Sequence, residues 1–485
     1  MHGKSWGKGA SPRNAQPSAN AWPPYPPADE TELEKAVRLE EEREARRISE
    51  AIDRELENER QAIRRVKKSE TKLLLLGQSE SGKSTMLKNF QIQFTPNALR
   101  AESEAWRAVI HLNLVRSVNF ILDVLTNPST PTSGGDSPTS THRPSSQPLP
   151  VADLRRLRLA LSPLKQVEMI LVRHLSADDS SNPSSGRASP VDQRQTKAAE
   201  VTIRGSNGWR ALLKRQQEPE EQQSRFSETR LDEVENARQI LYACRKDIVA
   251  MWSSKSVRTA LRDEGVMLED HMEFFLNHAG RVTEVEYEPT FPDILRARLQ
   301  TVGVEEHHLI METTGLVAES GQHWIFYDVG GARGQRASWV PFFEDINAII
   351  FLCSAAGFSE VLAEDRGVNR LLDSFNTWKI ICASKLLVSV QFILLLNKMD
   401  LLEARLRAGI RFSDYVKSYK GKNTTEHVTD YLKRKFTAIH AHHSPQDRKL
   451  HMHSTCAINI DTTSAVLMRI RDTILVNDLA AVGAL

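Results

Sequence analysis

The sequence has few cysteines, almost no net charge and no long apolar run. Four cysteines, Cys244, Cys353, Cys382 and Cys456, are scattered over 485 residues with no C-x-x-C pair. A disulfide framework or a zinc cluster needs paired spacings, so reduced thiols in an intracellular protein are expected. The longest apolar stretches, 348–358 and 388–396, fall far short of the ~20 residues that a membrane-crossing helix needs. The opening MHGKSWGKGA lacks the apolar core of a signal peptide, and His2 stands where N-myristoylation needs glycine. A cytoplasmic protein is expected. Lys plus Arg total 64 and Asp plus Glu 62, a net charge of +2. That balance argues against a nucleic-acid binder relying on bulk positive charge.

What is present is a soluble composition, 40% hydrophobic and 26% charged, long enough for roughly 2–3 domains. Residues 1–28 are rich in Pro, Gly, Ser and Asn and read as disordered. A charged helix is expected over 29–69. Thr31 and Glu34 form a capping-box start, and Glu34/Arg38, Glu42/Arg46 and Glu50/Arg54 are acid-before-base pairs at i,i+4. Ile48, Ile52, Leu56 and Ile63 make one thin apolar stripe, suited to a solvated helix or to a docking helix for a partner.

A strand at 71–76 breaks at Gly77, and a helix follows over 83–94. Helical spacing then dominates 98–288, with segments at 101–125, 151–175, 228–251 and 266–278. Proline- and serine-rich tracts at 127–150 and 176–190 read as disordered insertions. Strand–helix alternation returns at 289–485, with strands at 323–329, 348–354, 391–396 and 452–457 and a last helix at 463–479. The outline is an α/β domain with a parallel sheet, first part 70–97, second part 289–485, cut by a helical domain.

Four motifs lie in order at the carboxyl ends of strand candidates. Gly77-Gln78-Ser79-Glu80-Ser81-Gly82-Lys83-Ser84 matches G-x-x-x-x-G-K-[ST]. Its glycines let the backbone wrap a phosphate, its amides and the helix N-terminus point at the anion, Lys83 reaches the β- and γ-phosphates, and Ser84 ligates Mg²⁺. The alternative is an ordinary glycine-containing turn. Asp328-Val329-Gly330-Gly331 can hold a metal-bound water at its carboxylate and approach a γ-phosphate at the Gly331 amide. In Asn397-Lys398-Met399-Asp400, the Asp400 carboxylate can accept from the guanine ring N–H and exocyclic amine, a donor pair that adenine lacks. Thr455-Cys456-Ala457 places an amide where it can donate to the guanine oxygen.

With these motifs the chain resembles the alpha subunits of heterotrimeric G proteins, over 29–485 apart from the two insertions, which look like those of fungal members. The match is densest at 77–85, 293–303, 327–339, 361–370 and 397–401. The resemblance implies a Ras-like P-loop GTPase domain with an inserted all-helical domain and a long N-terminal helix. It implies a GTP/GDP switch with Mg²⁺, a beta-gamma dimer, a G-protein-coupled receptor and an effector as partners. Location at the inner face of the plasma membrane would then come through those partners. In Asp293-Ile-Leu-Arg-Ala-Arg298-Leu-Gln-Thr301 it makes Arg298 the arginine finger, Thr301 the second Mg²⁺ hydroxyl, and Leu295 and Arg296 part of the nucleotide site. Glu80 matches an acid that holds Arg298, and Thr85 completes the P-loop.

The departures matter. The family's DVGGQ is here Asp328-Val-Gly-Gly-Ala332. A methyl group has neither donor nor acceptor and cannot orient the attacking water, so tight GTP binding with slow turnover is expected. The alternative is that Gln335, or a regulator supplied in trans, rescues hydrolysis, but Gln335 lies three residues on and is expected to point elsewhere. Ser79 replaces a family glycine, and Ile458 replaces the Thr after Thr-Cys-Ala. The acylated glycine and adjoining cysteine are absent, and Val482-Gly483-Ala484-Leu485 lacks the toxin-target cysteine. Two rival readings are a GTP-binding scaffold that does not hydrolyse and a P-loop ATPase or kinase, against which Asp400 speaks.

Overall fold

A computed structural model describes residues 31–126, 151–175, 202–204, 225–266, 268–312, 322–445 and 448–481. The expected disorder at 1–28, 127–150 and 176–190, and the last four residues, lie outside the described residues. Compact contacts divide the chain after Ser69. The first unit carries α1 (Glu32–Ser69). It opens on the expected box: Thr31 N–H donates to Glu34 at 2.9 Å, and Glu34 N–H donates back to Thr31 Oγ1 at 3.4 Å. Arg38 pairs forward with Glu42 at 2.7 Å, and Ile48, Ile52 and Leu56 are exposed along one side.

The second unit is built on six strands: β1 (Glu70–Gly77), β2 (Val304–Ile310), β3 (His323–Val329), β4 (Ala348–Ser354), β5 (Gln391–Asn397) and β6 (Leu450–Ser454). Their order is β2-β3-β1-β4-β5-β6, parallel throughout except that β2 runs against β3. The central strands are covered on both faces, so they read as unbroken apolar runs; Leu73 to Leu76 and all of β4 are buried. The sequence reading missed β2. Its Val-Glu-Glu-His-His-Leu-Ile is a half-exposed edge strand, too polar to announce itself.

Helices α2 (Lys83–Phe94), α11 (Arg370–Ala383), α12 (Met399–Arg407), α13 (Thr425–His443) and α14 (Ile460–Ala481) surround this sheet. Trp378 of α11 is fully buried against Phe351, Phe392 and Phe436. Between α2 and β2 lie α3 (Ser103–Thr126), α4 (Val151–Leu161), α5 (Leu164–Leu175), α6 (Arg225–Ala243), α7 (Arg245–Ser253), α8 (Lys255–Asp263), α9 (Asp270–Asn277) and α10 (Phe291–Arg296). They share a second core around Val109, Leu112, Val115, Leu171 and Phe275. Two expected long helices are each broken, at Ser162-Pro163 and at Cys244. Within this region Thr202–Arg204 is a short strand, paired with Gln300–Val302.

One expectation needs correcting. α3 is long and apolar enough to cross a bilayer, but 72% of its apolar window is buried in the second core. With Arg107, His111, Asn113 and Asn119 also buried along it, α3 is here a core helix.

Candidate functional site

The carboxyl ends of β1, β3, β5 and β6 bring the four motifs together. After β1 the chain enters the loop through Gly77 at φ 146° and leaves it through Gly82 at φ 100°, the residue before α2. Both conformations favour glycine. Packing adds a second demand, since a Cβ at Gly82 would collide with Asn397 Nδ2 and one at Gly77 would collide with Leu352 O. Glu80 also takes a left-handed φ of 60°, a local strain at the loop tip.

Lys83 is buried and folds back over the loop, donating to Gly77 O at 3.1 Å and Gln78 O at 2.9 Å. Burial pushes its ammonium down to about 8, against the pull of Asp328. Ser84 Oγ donates to Asp328 Oδ2 at 2.6 Å. Burial pushes the Asp328 carboxyl up, with Lys83 and Ser84 acting against it. Ser81 Oγ is buried with no hydrogen-bond partner among the described residues, while the Ser81 carbonyl accepts from Asn397 at 2.9 Å. The Thr85 carbonyl accepts from Asn89 at 2.8 Å.

A hydroxyl, a carboxylate and an orphaned hydroxyl around a buried ammonium suit phosphate oxygens and a hard cation. Ser84 and Asp328 fit Mg²⁺, which prefers oxygen ligands and keeps several from phosphate and water. The side chain of Thr301, the other expected ligand, lies outside the described residues.

Arg298 is positioned from both cores. Its guanidinium lies between Glu80, at 2.9 Å, and Glu269. Its peptide is clamped by Asn113 of α3: Arg298 N–H donates to Asn113 Oδ1 at 2.6 Å, and Asn113 Nδ2 donates to Arg298 O at 3.0 Å. Lys88 of α2 donates to Ile294 O at 3.0 Å and Ala297 O at 2.6 Å; burial pushes its ammonium down to about 7. Leu295 points into the helical core, and Arg296 stacks on Phe274 with its guanidinium 4.4 Å from the ring centroid. Asp293 anchors the turn before them, gripped by both Arg281 nitrogens, Tyr287 and Thr290. Burial opposes the Glu80 charge, yet Arg298 and Arg370 hold its carboxyl down at about 2.

Beyond β3, Gly331 packs so close to the loop that a Cβ there would collide with the Gln78–Ser79 peptide. Gly330 donates to Gly303 O at 2.8 Å and accepts from Trp339 Nε1 at 3.0 Å. Arg336 forks onto Asp373, which Gln78 also reaches at 2.6 Å. Ala332 directly precedes the turn Arg333–Phe342, and Gln335 lies three residues on. Its N–H donates to Ala332 O at 2.9 Å, and this turn lays its carboxamide against Gly330.

At the far end Asn397 Oδ1 accepts from Ala457 N–H at 3.0 Å and from Thr455 Oγ1 at 3.2 Å. The Ala457 amide, expected to face a base oxygen, here donates to Asn397. Lys398 takes a left-handed φ of 60°, and burial lowers its ammonium. Asp400 lies in the first turn of α12; burial and the nearby Asp400 carboxylate push the Cys456 thiol up to about 11. Asn113, Glu269 and Lys88 were not legible beforehand, because each lies in a helical or loop run with no motif around it.

The chain matches the family profile described as "G-protein alpha subunit" over residues 46–474. It is 29% identical to the "Guanine nucleotide-binding protein alpha-4 subunit" of Mycosarcoma maydis, covering 94% of each chain. It is 28% identical to a "Guanine nucleotide-binding protein subunit alpha" of Coprinellus congregatus, covering 89% of this chain and 95% of that one. A protein of the same description from Emericella nidulans is 24% identical over 89% of this chain and 96% of its own.

Proposed function

The chain belongs to the family of G-protein alpha subunits, whose members are GTPases, and from that premise we propose that it is a GTP/GDP switch in G-protein-coupled receptor signalling. The observation that carries this reading is the interlocking of the four loop ends. Asn397 binds the P-loop at Ser81 and the 455–457 loop at Ala457, while Ser84 binds Asp328. One purine nucleotide laid across these ends meets Asp400 at its base and Lys83 at its phosphates. Nucleotide contacts come from Gly77, Glu80, Ser81, Gly82, Thr85, Leu295, Arg296, Gly330, Gly331, Lys398, Cys456 and Ala457. Mg²⁺, held by Ser84, Thr301 and, through water, Asp328, supplies charge neutralisation at the phosphates when bound.

In this reading the region 98–288 is a helical domain inserted into a Ras-like domain, 70–97 and 289–485, and it closes over the nucleotide. Arg298 neutralises charge growing on the transferred phosphoryl group. Ala332 leaves the attacking water without the side chain the family places there, so turnover is slow. The charged helix over 29–69 docks a beta-gamma dimer and brings the chain to the inner face of the plasma membrane, while receptor and effector complete the pathway. A second reading, a GTP-holding scaffold without hydrolysis, is favoured by Ala332 alone.

Single-turnover hydrolysis of bound GTP tests this. Ala332→Gln is expected to exceed the wild type by at least about tenfold; equal rates contradict the Ala332 reading. Recruitment is tested by fractionating cells with and without the beta subunit. Loss from the membrane fraction without it is expected, and an unchanged soluble protein in both contradicts it.

A further inference from the structure

We propose that His308 and His323, backed by Glu306 and Glu70, bind one Zn²⁺ ion at the edge of the sheet. The site lies apart from the nucleotide loops and does not depend on them. His323 begins β3, whereas Asp328 stands five residues further on, about 16 Å along an extended strand. Strand register brings the four side chains together. Glu70 of β1 lies opposite His323 in the parallel pair. In the antiparallel pair Ile310 of β2 lies opposite His323, and His308 lies opposite Ile325. His308 and His323 are therefore diagonal neighbours on one face, and Glu306, two residues before His308, shares that face. His307 takes the other face, beside Glu305 at 3.4 Å.

The two imidazoles lie nearly parallel, with centroids 5.0 Å apart and planes 24° apart. His308 Nδ1 and His323 Nε2 are only 2.9 Å from each other. Each outer nitrogen has its own carboxylate: Glu306 Oε1 lies 2.9 Å from His308 Nε2, and Glu70 Oε1 lies 3.3 Å from His323 Nδ1. A carboxylate at that range favours the ring proton on the nitrogen it faces. The inner nitrogens are then two lone pairs turned towards each other. Lone pairs so close repel unless a positive charge lies between them. A metal-bound histidine has the same arrangement, a carboxylate on its outer nitrogen and the ion on its inner one.

Zn²⁺ suits the gap. It binds imidazole nitrogen at about 2.0–2.1 Å, so two such ligands in a tetrahedron stand about 3.3 Å apart. Small rotations open the pair that far, because the His308 and His323 side chains are 45% and 28% exposed. The same exposure admits water to the remaining positions. Two neutral rings and two carboxylates favour a dication, and Lys72, the cation beside Glu70, is held by Asp345 at 2.6 Å. Mg²⁺ prefers oxygen ligands and does not compete. Among the described residues no three His, Cys, Asp or Glu are arranged around one ion, so the chain supplies two ligands. Affinity in the micromolar range follows, below that of a closed four-ligand site. The bound ion ties β2, the outermost strand, to β3 and stabilises that edge by mass action.

The test uses the full-length chain, stripped by a chelator and then kept in excess Mg²⁺ and GDP. It is titrated with Zn²⁺ against a chromophoric chelator. One micromolar site per chain is expected. His308→Ala and His323→Ala should each weaken it at least about tenfold, and Glu306→Gln by about tenfold through the outer nitrogen. His442→Ala with His443→Ala, an exposed pair at the end of α13, serves as control and should change it less than about twofold. Amide hydrogen exchange is the second readout. Zn²⁺ should slow exchange along β2 in the wild type and leave it unchanged in His308→Ala, where the replaced side chain is half-exposed and the fold is kept. Absence of micromolar Zn²⁺ binding, which leaves a shared proton as the only occupant, overturns the assignment. So does an affinity unchanged in both histidine variants, or one lost in the α13 control.

Discussion

Replacing Asn113 with alanine removes both hydrogen bonds that clamp the Arg298 peptide, at 2.6 and 3.0 Å. Each neutral hydrogen bond contributes about 0.5–1.5 kcal/mol net, so the pair contributes about 1–3 kcal/mol. Asn113 is itself buried, and alanine leaves no replacement donor or acceptor. The Lys88 bonds to Ile294 and Ala297 remain, so the loop is expected to loosen at Arg298 and not to unfold. The loss falls on the arrangement that presents the guanidinium, because the P-loop contacts do not involve Asn113. At about 1.4 kcal/mol per tenfold, single-turnover GTP hydrolysis should slow by about 10- to 100-fold. Affinity for GDP should change by no more than about threefold, near 0.7 kcal/mol. In an Arg298→Ala background, Asn113→Ala should have little further effect, since both act through one group. The reasoning is refuted if hydrolysis is unchanged, or if the two substitutions slow it additively.

Gly82→Ala should abolish nucleotide binding, because its Cβ meets Asn397 Nδ2 at a backbone φ of 100°; fluorescent GDP titration reads the loss. Asp400→Ala should weaken GTP and GDP by at least about 100-fold and leave ATP affinity unchanged, as expected when a base-reading acceptor is removed; competition binding reads the ratio. Burial holds Lys88 at about 7 in the folded chain, below the roughly 10.4 of an unfolded lysine. Above pH 7 the unfolded chain therefore carries more protons here, and stability should rise with pH through this window. Lys83, held down by burial at about 8, adds the same sign at higher pH. Chemical denaturation of the nucleotide-free protein should show the rise between about pH 7 and 8 in the wild type and its loss in Lys88→Met.

The loop after β1 was legible because glycine positions and apolar strands leave strong marks. Leu73 to Leu76 read as a short apolar strand broken by Gly77, and Gly77 and Gly82 each take a φ that favours glycine. The edge strand β2 was not legible, since Glu305, Glu306, His307 and His308 break the apolar pattern that identifies a covered strand. Asn113 reads in sequence as a polar interruption of an apolar helix; only the fold brings Arg298 against it.

The central claim is that one guanine nucleotide spans these loop ends, read by Asp400 and held by Lys83. Equilibrium binding of labelled GDP to the purified full-length chain with magnesium, in competition with GTP and ATP, tests it most directly. One site per chain, displaced by GTP and not by a thousandfold excess of ATP, is the predicted result. Absence of GDP binding, or equal displacement by ATP, contradicts it.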